Sequence, residues 1–580
     1  MIKIIDIKIG SIRFLNYLYS VFVNNIGLIC LIFVLNFFTG LVNNIIHEIG
    51  VSVLTKIFHG FVNIFLISYL IALVKDLFVN RCWRISIVTL SLFVSSLLCV
   101  VELFLLLDFN TIINPSIVLI LLETNVQESK EFFQTYYEDF KWIILGVIFL
   151  ISIVAYVRRV CFIGKVRKYL NTIHIKFIFF SILFLGLSAG GYRFMKDSAY
   201  GKEIISPHMK TMLPSQRLYY SWLITKNDLR QYDLISRRME VSNIHVVSNC
   251  SKIKNCILII GESLGRNHMS LYGYSLPTTP FCDSLFQRGE LYRFNDVICP
   301  SLYTSASIQK IMSFFNNESK GKWYDYANII DVMKAAGYKT YWISNQEMMG
   351  AYGNYVASLG NRCDDVYFNN KRNSIDERYG DFDGDLVSVL ETKLSDGVDK
   401  KFIVLHFMGS HPLYRNRYPE AFDYFKAEDE LIPYGKKSQK MAAQYDNTVL
   451  YNDHVIGEII KVLKKTESVM IYLSDHGNEV YDNRDYTGRS ENDISRYMVE
   501  IPFLVWESDR FKTLYPDKDS CIAKAVDKPY MADDLIHTVL GITGVQVAEY
   551  DSTRNIIHPS FNGTRLRVIN GYDYDKDILN

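Results

Sequence analysis

The sequence predicts an α/β protein in two parts: a five-helix transmembrane domain, then an α/β domain with a mainly parallel central sheet. Three observations carry that prediction. The first 195 residues are mostly apolar and hold five runs close to the length a bilayer requires, about 20 residues. Beyond residue 250, short apolar runs alternate with helical patterns, the layout of strands and covering helices around a parallel sheet. Two of those runs end in metal-ligating side chains, Glu262 and Asp475-His476. A chain of 580 residues is too long for one ordinary domain. The expected division is 1–192 for the membrane helices, 193–250 for a linker with interfacial helices, and 251–580 for the α/β domain. The net charge of +1 gives no electrostatic reason to expect nucleic acid.

The five spans are placed at 18–40, 57–75, 85–107, 141–157 and 177–192. Lys3, Lys8 and Arg13 precede the first. Lys75, Arg81 and Arg84 separate the second and third. Arg158, Arg159, Lys165, Arg167, Lys168 and Lys176 separate the fourth and fifth, with no acid among them. Basic residues mark cytoplasmic loops, so the N-terminus is cytoplasmic and everything past about residue 193 lies outside. The outer loop at 108–140 is long enough for a helix lying at the membrane face, and Leu122 to Glu128 supplies polar residues there. In the linker, Tyr219, Tyr220, Trp222, Leu223 and Ile224 suit an interfacial helix.

In the α/β domain the expected strands are Cys256–Ile260, Thr340–Ile343, Phe402–Phe407, Val469–Leu473 and Ile501–Trp506. Helical patterns cover Ala327–Ala336 and Gln444–Lys465. Six cysteines fall in this part: Cys250, Cys256, Cys282, Cys299, Cys363 and Cys521. In an exported domain six allow three disulfides with fifteen pairings, and spacing does not choose among them.

The chemistry gathers at strand ends. Glu262 follows one buried run, and Asp475-His476 follows another. In an open α/β sheet, ligands collect at the carboxyl ends of strands. Two carboxylates and an imidazole are donors zinc accepts, with a fourth position left for the reacting group. Pro300, Ser301, Thr304, Ser305 and Ser307 precede the apolar-periodic residues Ile308, Ile311 and Met312, which reads as a helix N-terminus. Such a terminus favours anions. A hydroxyl there beside a metal becomes a nucleophile, and spacing alone leaves Ser301, Thr304, Ser305 and Ser307 open. His406 and His411 flank the end of a further strand. His411, in the loop, is the better functional candidate, and a histidine inside a strand is more often a core residue.

Taken together, Gly261-Glu262-Ser263 with the following Tyr-Gly-Tyr and Thr-Thr-Pro, Gly337 through Asn345-Gln346, His406-x4-His411, Tyr445-Asp-Asn-Thr and Ser474-Asp475-His476-Gly477 resemble the membrane-bound phosphoethanolamine transferases of Gram-negative bacteria. That family lies within the alkaline phosphatase and sulfatase superfamily, so the resemblance implies a periplasmic sulfatase-like domain on an inner-membrane anchor. It implies zinc-dependent transfer of phosphoethanolamine from phosphatidylethanolamine to lipopolysaccharide, by a chain expected to be monomeric. On the matching positions, Glu262, Asp475 and His476 are the implied zinc ligands and Thr304 the nucleophile at the metal. His406, His411, Thr124 and Glu128 match substrate-contacting positions. The lipid A-modifying branch has an Asn where Ile120 stands, and a His where Gly488 stands. It also has clustered cysteines, whereas Cys299 has no Cys about ten residues on. Val480-Tyr481-Asp482 and Gly488-Arg489 look more like the branch that modifies a core heptose, and Arg489 is a candidate phosphate contact in place of that His. The competing readings are a phosphoglycerol transferase, a sulfatase or phosphohydrolase, and an inactive membrane scaffold. Thr304 argues against a sulfatase, which usually uses a modified Cys or Ser. Retention of Glu262, Thr304, Asp475 and His476 together argues against the scaffold.

Overall fold

The computed structural model describes residues 11–47, 51–109, 111–124, most of 129–151, 172–200, 213–238, 244–249, 252–346, 355–369 and 382–579. They form two compact units, one of 1–121 with 136–228 and one of 122–135 with 229–580.

In the first unit, α1 (Ser11–His47) packs along α2 (Val51–Leu77) and α3 (Arg81–Phe109). Among the described residues, three stretches are long and apolar enough to cross a membrane: Arg13–Phe37, Gly60–Leu77 and Arg81–Phe109. They cover the first three expected spans. The expected fourth span, 141–157, is helical over 141–148 and otherwise lies largely outside the described residues. In the outer loop, the short helix α4 (Pro115–Glu123) starts at Asn114, whose side chain accepts the Ile117 N–H at 2.9 Å. The fifth expected span falls in α5 (Ile173–Tyr200), whose described apolar part is the shorter Ile173–Phe184. An aromatic cluster of Tyr19, Phe22, Tyr69 and Phe179 ties α1, α2 and α5 together. The connector helix α6 (Pro214–Arg238) exposes Tyr219, Trp222 and Leu223, as an interfacial helix requires. Its Arg217 forms a buried ion pair with Glu102 of α3, 2.6 Å long.

The second unit is built on seven strands: β1 (Asn255–Gly261), β2 (Leu291–Arg293), β3 (Lys339–Ser344), β4 (Asp365–Phe368), β5 (Lys401–His406), β6 (Ser468–Ser474) and β7 (Phe503–Glu507). They lie in the order β2-β7-β6-β1-β5-β3-β4. Five run parallel, from β6 to β4. β7 is antiparallel to both β6 and β2, so the sheet is mixed at one edge. Every residue of β1 is buried, because helices cover both faces of the sheet. Cys256, Leu258 and Ile260 face Ile308 and Ile311 of α8 (Thr304–Ile311) and Ile330 and Met333 of α9 (Ile329–Ala335). The alternate residues Ile257 and Ile259 share the opposite core with Leu285 of α7 (Pro280–Gln287), Leu390 of α10 (Leu386–Leu394) and Ile456 and Ile460 of α11 (Lys436–Leu463).

Two sequence expectations change. The end of the 193–250 stretch is built into the second unit: Val246–Asn249 pairs antiparallel with Val545–Val547. The expected disulfides do not form among the described residues. Cys256, Cys282, Cys299 and Cys363 are buried free thiols, and Cys521 is a partly exposed one. Cys250 lies outside the described residues.

Candidate metal and nucleophile site

The register of the sheet brings the site together. Gly261 at the end of β1 pairs with Ser474 at the end of β6, so Glu262 and Asp475 leave the sheet side by side. The Asp475 N–H donates to the Gly261 carbonyl at 3.1 Å. Ser263 then turns the chain sharply, with φ +59. Its N–H donates to Asp475 Oδ1 at 3.0 Å, and its hydroxyl donates to Glu262 Oε1 at 2.7 Å. After His476 the chain passes so close to the Tyr497 carbonyl that a Cβ on Gly477 would lie 2.4 Å from it, which accounts for the glycine.

Glu262, Asp475 and His476 are all buried, at 1%, 0% and 0% exposure, with donor atoms within 4.8 Å of one another. His476 Nε2 lies 3.1 Å from Asp475 Oδ2 and 3.5 Å from Glu262 Oε1. Asp475 Oδ2 is buried without a hydrogen-bond partner. Burial and the Glu262 charge push the Asp475 carboxyl well above the usual carboxylate range. Burial, then the Arg489 guanidinium, push His476 well below its ordinary value, and His411 adds to this. A neutral imidazole, two crowded carboxylates and an orphaned oxygen are what a divalent cation would reconcile. The donor set suits zinc.

Thr304 begins α8. Its Oγ1 lies 3.1 Å from Glu262 Oε2, 3.3 Å from Oε1 and 3.2 Å from His476 Nε2. Of the four hydroxyls that spacing left open, this one meets the cluster. The Ser307 hydroxyl instead donates to the Asp475 carbonyl at 2.5 Å and so buttresses the ligand segment. Arg489 Nη1 donates to the Leu302 carbonyl at 2.8 Å and lies against the His476 ring, 3.0 Å from Nδ1. It belongs to the site and is not a surface charge. His406 takes the place of a core histidine. It ends β5 at 1% exposure, lies 3.1 Å from the Ser344 hydroxyl, and is pushed by burial down to about 3. The ring lies beside the buried Trp342, the surroundings of a core residue. Thr124 follows α4 and is half-buried, and Glu128 lies outside the described residues.

Tyr445 has a part in the site that the sequence reading did not assign. Its hydroxyl donates to the Ser263 carbonyl and accepts from the Gly265 N–H, both at 2.9 Å, so it holds the turn after Glu262. It stands in the Tyr445-Asp-Asn motif, but nothing in that spacing says which strand end it supports.

A mixed sheet with metal-type donors at the ends of its central strands and a helix-borne hydroxyl between them defines a phosphatase- or sulfatase-like enzyme. Residues 254–545 match the Sulfatase family. The chain is 30% identical over 484 residues to the phosphoethanolamine transferase EptC of Escherichia coli O18:K1:H7, covering 80% of this chain and 82% of that one. The C-terminal periplasmic domain of Escherichia coli EptC, solved in complex with Zn, is 33% identical with a TM-score of 0.54, over 58% of this chain and 96% of that one. The integral membrane phosphoethanolamine transferase EptA of Neisseria meningitidis shares the fold over 90% of this chain and 97% of that one, with a TM-score of 0.60 at 20% identity. The chain belongs to the phosphoethanolamine transferases of the sulfatase family.

Proposed function

We propose that this enzyme moves phosphoethanolamine from phosphatidylethanolamine to lipopolysaccharide, with a core heptose as acceptor, through a covalent intermediate on Thr304. The observation that carries this is the position of Thr304 Oγ1, 3.1 to 3.3 Å from both Glu262 oxygens and from His476 Nε2. A zinc ion held by Glu262, Asp475 and His476 would supply the Lewis acidity that makes the Thr304 hydroxyl more acidic. Thr304 Oγ1 attacks the phosphorus of the donor. The bond from phosphorus to the glycerol oxygen breaks, and diacylglycerol leaves carrying the proton that Thr304 gave up. The first-turn N–H groups of α8 and the Arg489 guanidinium face the charge on the phosphoryl oxygens, and His411 contacts the transferred group. An acceptor hydroxyl then attacks the same phosphorus, the bond to Oγ1 breaks, and Thr304 recovers a proton. Thr124 and Glu128 hold the donor headgroup.

In this reading the apolar helices anchor the chain in the inner membrane, and the catalytic unit is periplasmic, where both lipids are reached. Preference for the core rests on Gly488-Arg489, where the lipid A-modifying branch carries a histidine. Intact masses of lipid A and of core oligosaccharide, from cells with and without the protein, test it. Phosphoethanolamine on the core alone is expected. Addition to lipid A alone would contradict the acceptor, and addition to neither would remove lipopolysaccharide from the reaction.

A further inference from the structure

The turn that carries His411 is folded around one carboxylate that no motif assigned. Beyond β5, the chain reverses over Phe407 to His411, closed by the His411 N–H donating to the Met408 carbonyl at 3.2 Å. Asp383 stands in the single 3-10 turn Asp383–Asp385 that leads into α10, and is 4% exposed. It accepts the Met408 N–H at 2.8 Å and the Gly409 N–H at 2.9 Å. A third donor, Asn345 Nδ2 at the end of β3, reaches the same carboxylate at 2.9 Å.

Two successive backbone N–H groups aimed at one buried anion form a concave anion seat. Bonds to an ionised acceptor are roughly twice as strong as neutral ones. The far side of the turn is fixed as well. The Ser410 N–H donates to the Glu262 carbonyl at 2.9 Å. The Ser410 hydroxyl accepts from Thr448 Oγ1 at 2.6 Å. Gly409 sits at φ +51, and a Cβ there would lie 2.7 Å from the Glu262 carbonyl oxygen. The turn is therefore clamped between Asp383 and the backbone of Glu262, and His411 is the residue that leaves the clamp. The Ser410 bond to the Glu262 carbonyl sets the end of this turn, and His411 directly after it, beside the segment that carries Glu262.

We propose that Asp383 is a positioning residue for the transfer: by seating the Met408 and Gly409 N–H groups it sets the direction of His411 toward the Glu262, Thr304 and His476 cluster. This rests on the reading that His411 contacts the transferred group. Asp383→Asn keeps the shape but turns an acceptor into a donor facing a backbone N–H. The seat opens and the turn relaxes. A displacement of about 1 Å in a catalytic group lowers turnover by up to ~100-fold.

The test is a double-mutant cycle on the full-length protein in detergent with phosphatidylethanolamine as donor and lipopolysaccharide as acceptor, reading kcat and KM for wild type, Asp383→Asn, His411→Ala and the double variant. We expect Asp383→Asn to lower kcat by about 10- to 100-fold with KM for the donor within about threefold. In the His411→Ala background the same change should cost less than about threefold further, because its route is already gone. A purely structural role would multiply in the double variant, and that result overturns the inference while leaving the role of His411 intact. Full activity in Asp383→Asn overturns it in the same way. Full activity in His411→Ala alone would overturn the reading of His411, and the inference with it. If Asp383→Asn fails to fold, Asp383→Glu, which keeps the charge but moves the acceptors by one methylene, carries the same cycle.

Discussion

Thr304 is the residue on which the chemistry turns, and its surroundings set what its loss should do. The side chain is only partly buried, so Thr304→Ala removes the nucleophile without opening a closed core cavity. Transfer should fall by more than about 1,000-fold while the thermal midpoint stays within a degree or two, read by a lipid-product assay beside a melting curve. His476→Ala removes one of three buried donors. Zinc per chain, measured by elemental analysis, should drop well below one, and activity should not return on adding zinc at micromolar levels. Much of this was legible in the sequence. A carboxylate after one buried run and Asp-His after another are strand-end donors by pattern alone. What brings them side by side is the register of Gly261 against Ser474, a tertiary fact. For the same reason Ser263, Ser307 and Tyr445 could not be assigned: each bonds to a segment 168 to 212 residues away in the chain, and short polar residues occur everywhere. His406 shows the opposite limit. Its spacing from His411 is that of a motif, yet alternation along β5 puts its ring into the core.

At the scale of elements, the segments after β1 and β6 are joined by a buried cluster. His268 lies 2.6 Å from Asp446 Oδ1 on α11 and 3.1 Å from Asp482 Oδ1 after β6. Burial alone would lower its pKa, but Asp482 and Asp446 outweigh that and hold it well above the ordinary 6.5. A folded pKa above the unfolded one gives stability that is complete below about pH 6.5, and that declines as pH rises through the folded value. The stability gap between wild type and His268→Gln should therefore be widest near pH 6 and narrow steadily toward pH 9. A gap that widens with pH would contradict the arrangement. In the first unit, Glu102→Ala breaks the buried ion pair with Arg217, and breaking such a pair costs about 3–5 kcal/mol. The midpoint for unfolding in detergent should fall by several degrees, and Glu102→Ala with Arg217→Leu should recover much of the loss. The central strands were legible as continuous apolar runs, since burial on both faces leaves no other pattern. β2 and β4 were not, because they are short, lie at the sheet edges and are only partly buried. The antiparallel sense of β7 could not be read either, because a buried run looks the same in both directions.

For the whole molecule, membrane-type helices precede a catalytic unit of the phosphoethanolamine transferase family, the combination that the proposed transfer between two lipids calls for. The change from apolar to mixed composition near residue 195 shows this division in the sequence, and the charge alternation predicts its direction. The central claim is that the phosphoethanolamine group passes through Thr304. The most direct measurement is tandem mass spectrometry of the full-length protein after incubation with phosphatidylethanolamine and no acceptor. A phosphoethanolamine adduct on Thr304 is expected, one that disappears when lipopolysaccharide is added, with no adduct in Thr304→Ala. An adduct on Ser301, Ser305 or Ser307, or full turnover with no adduct on any residue, would contradict it.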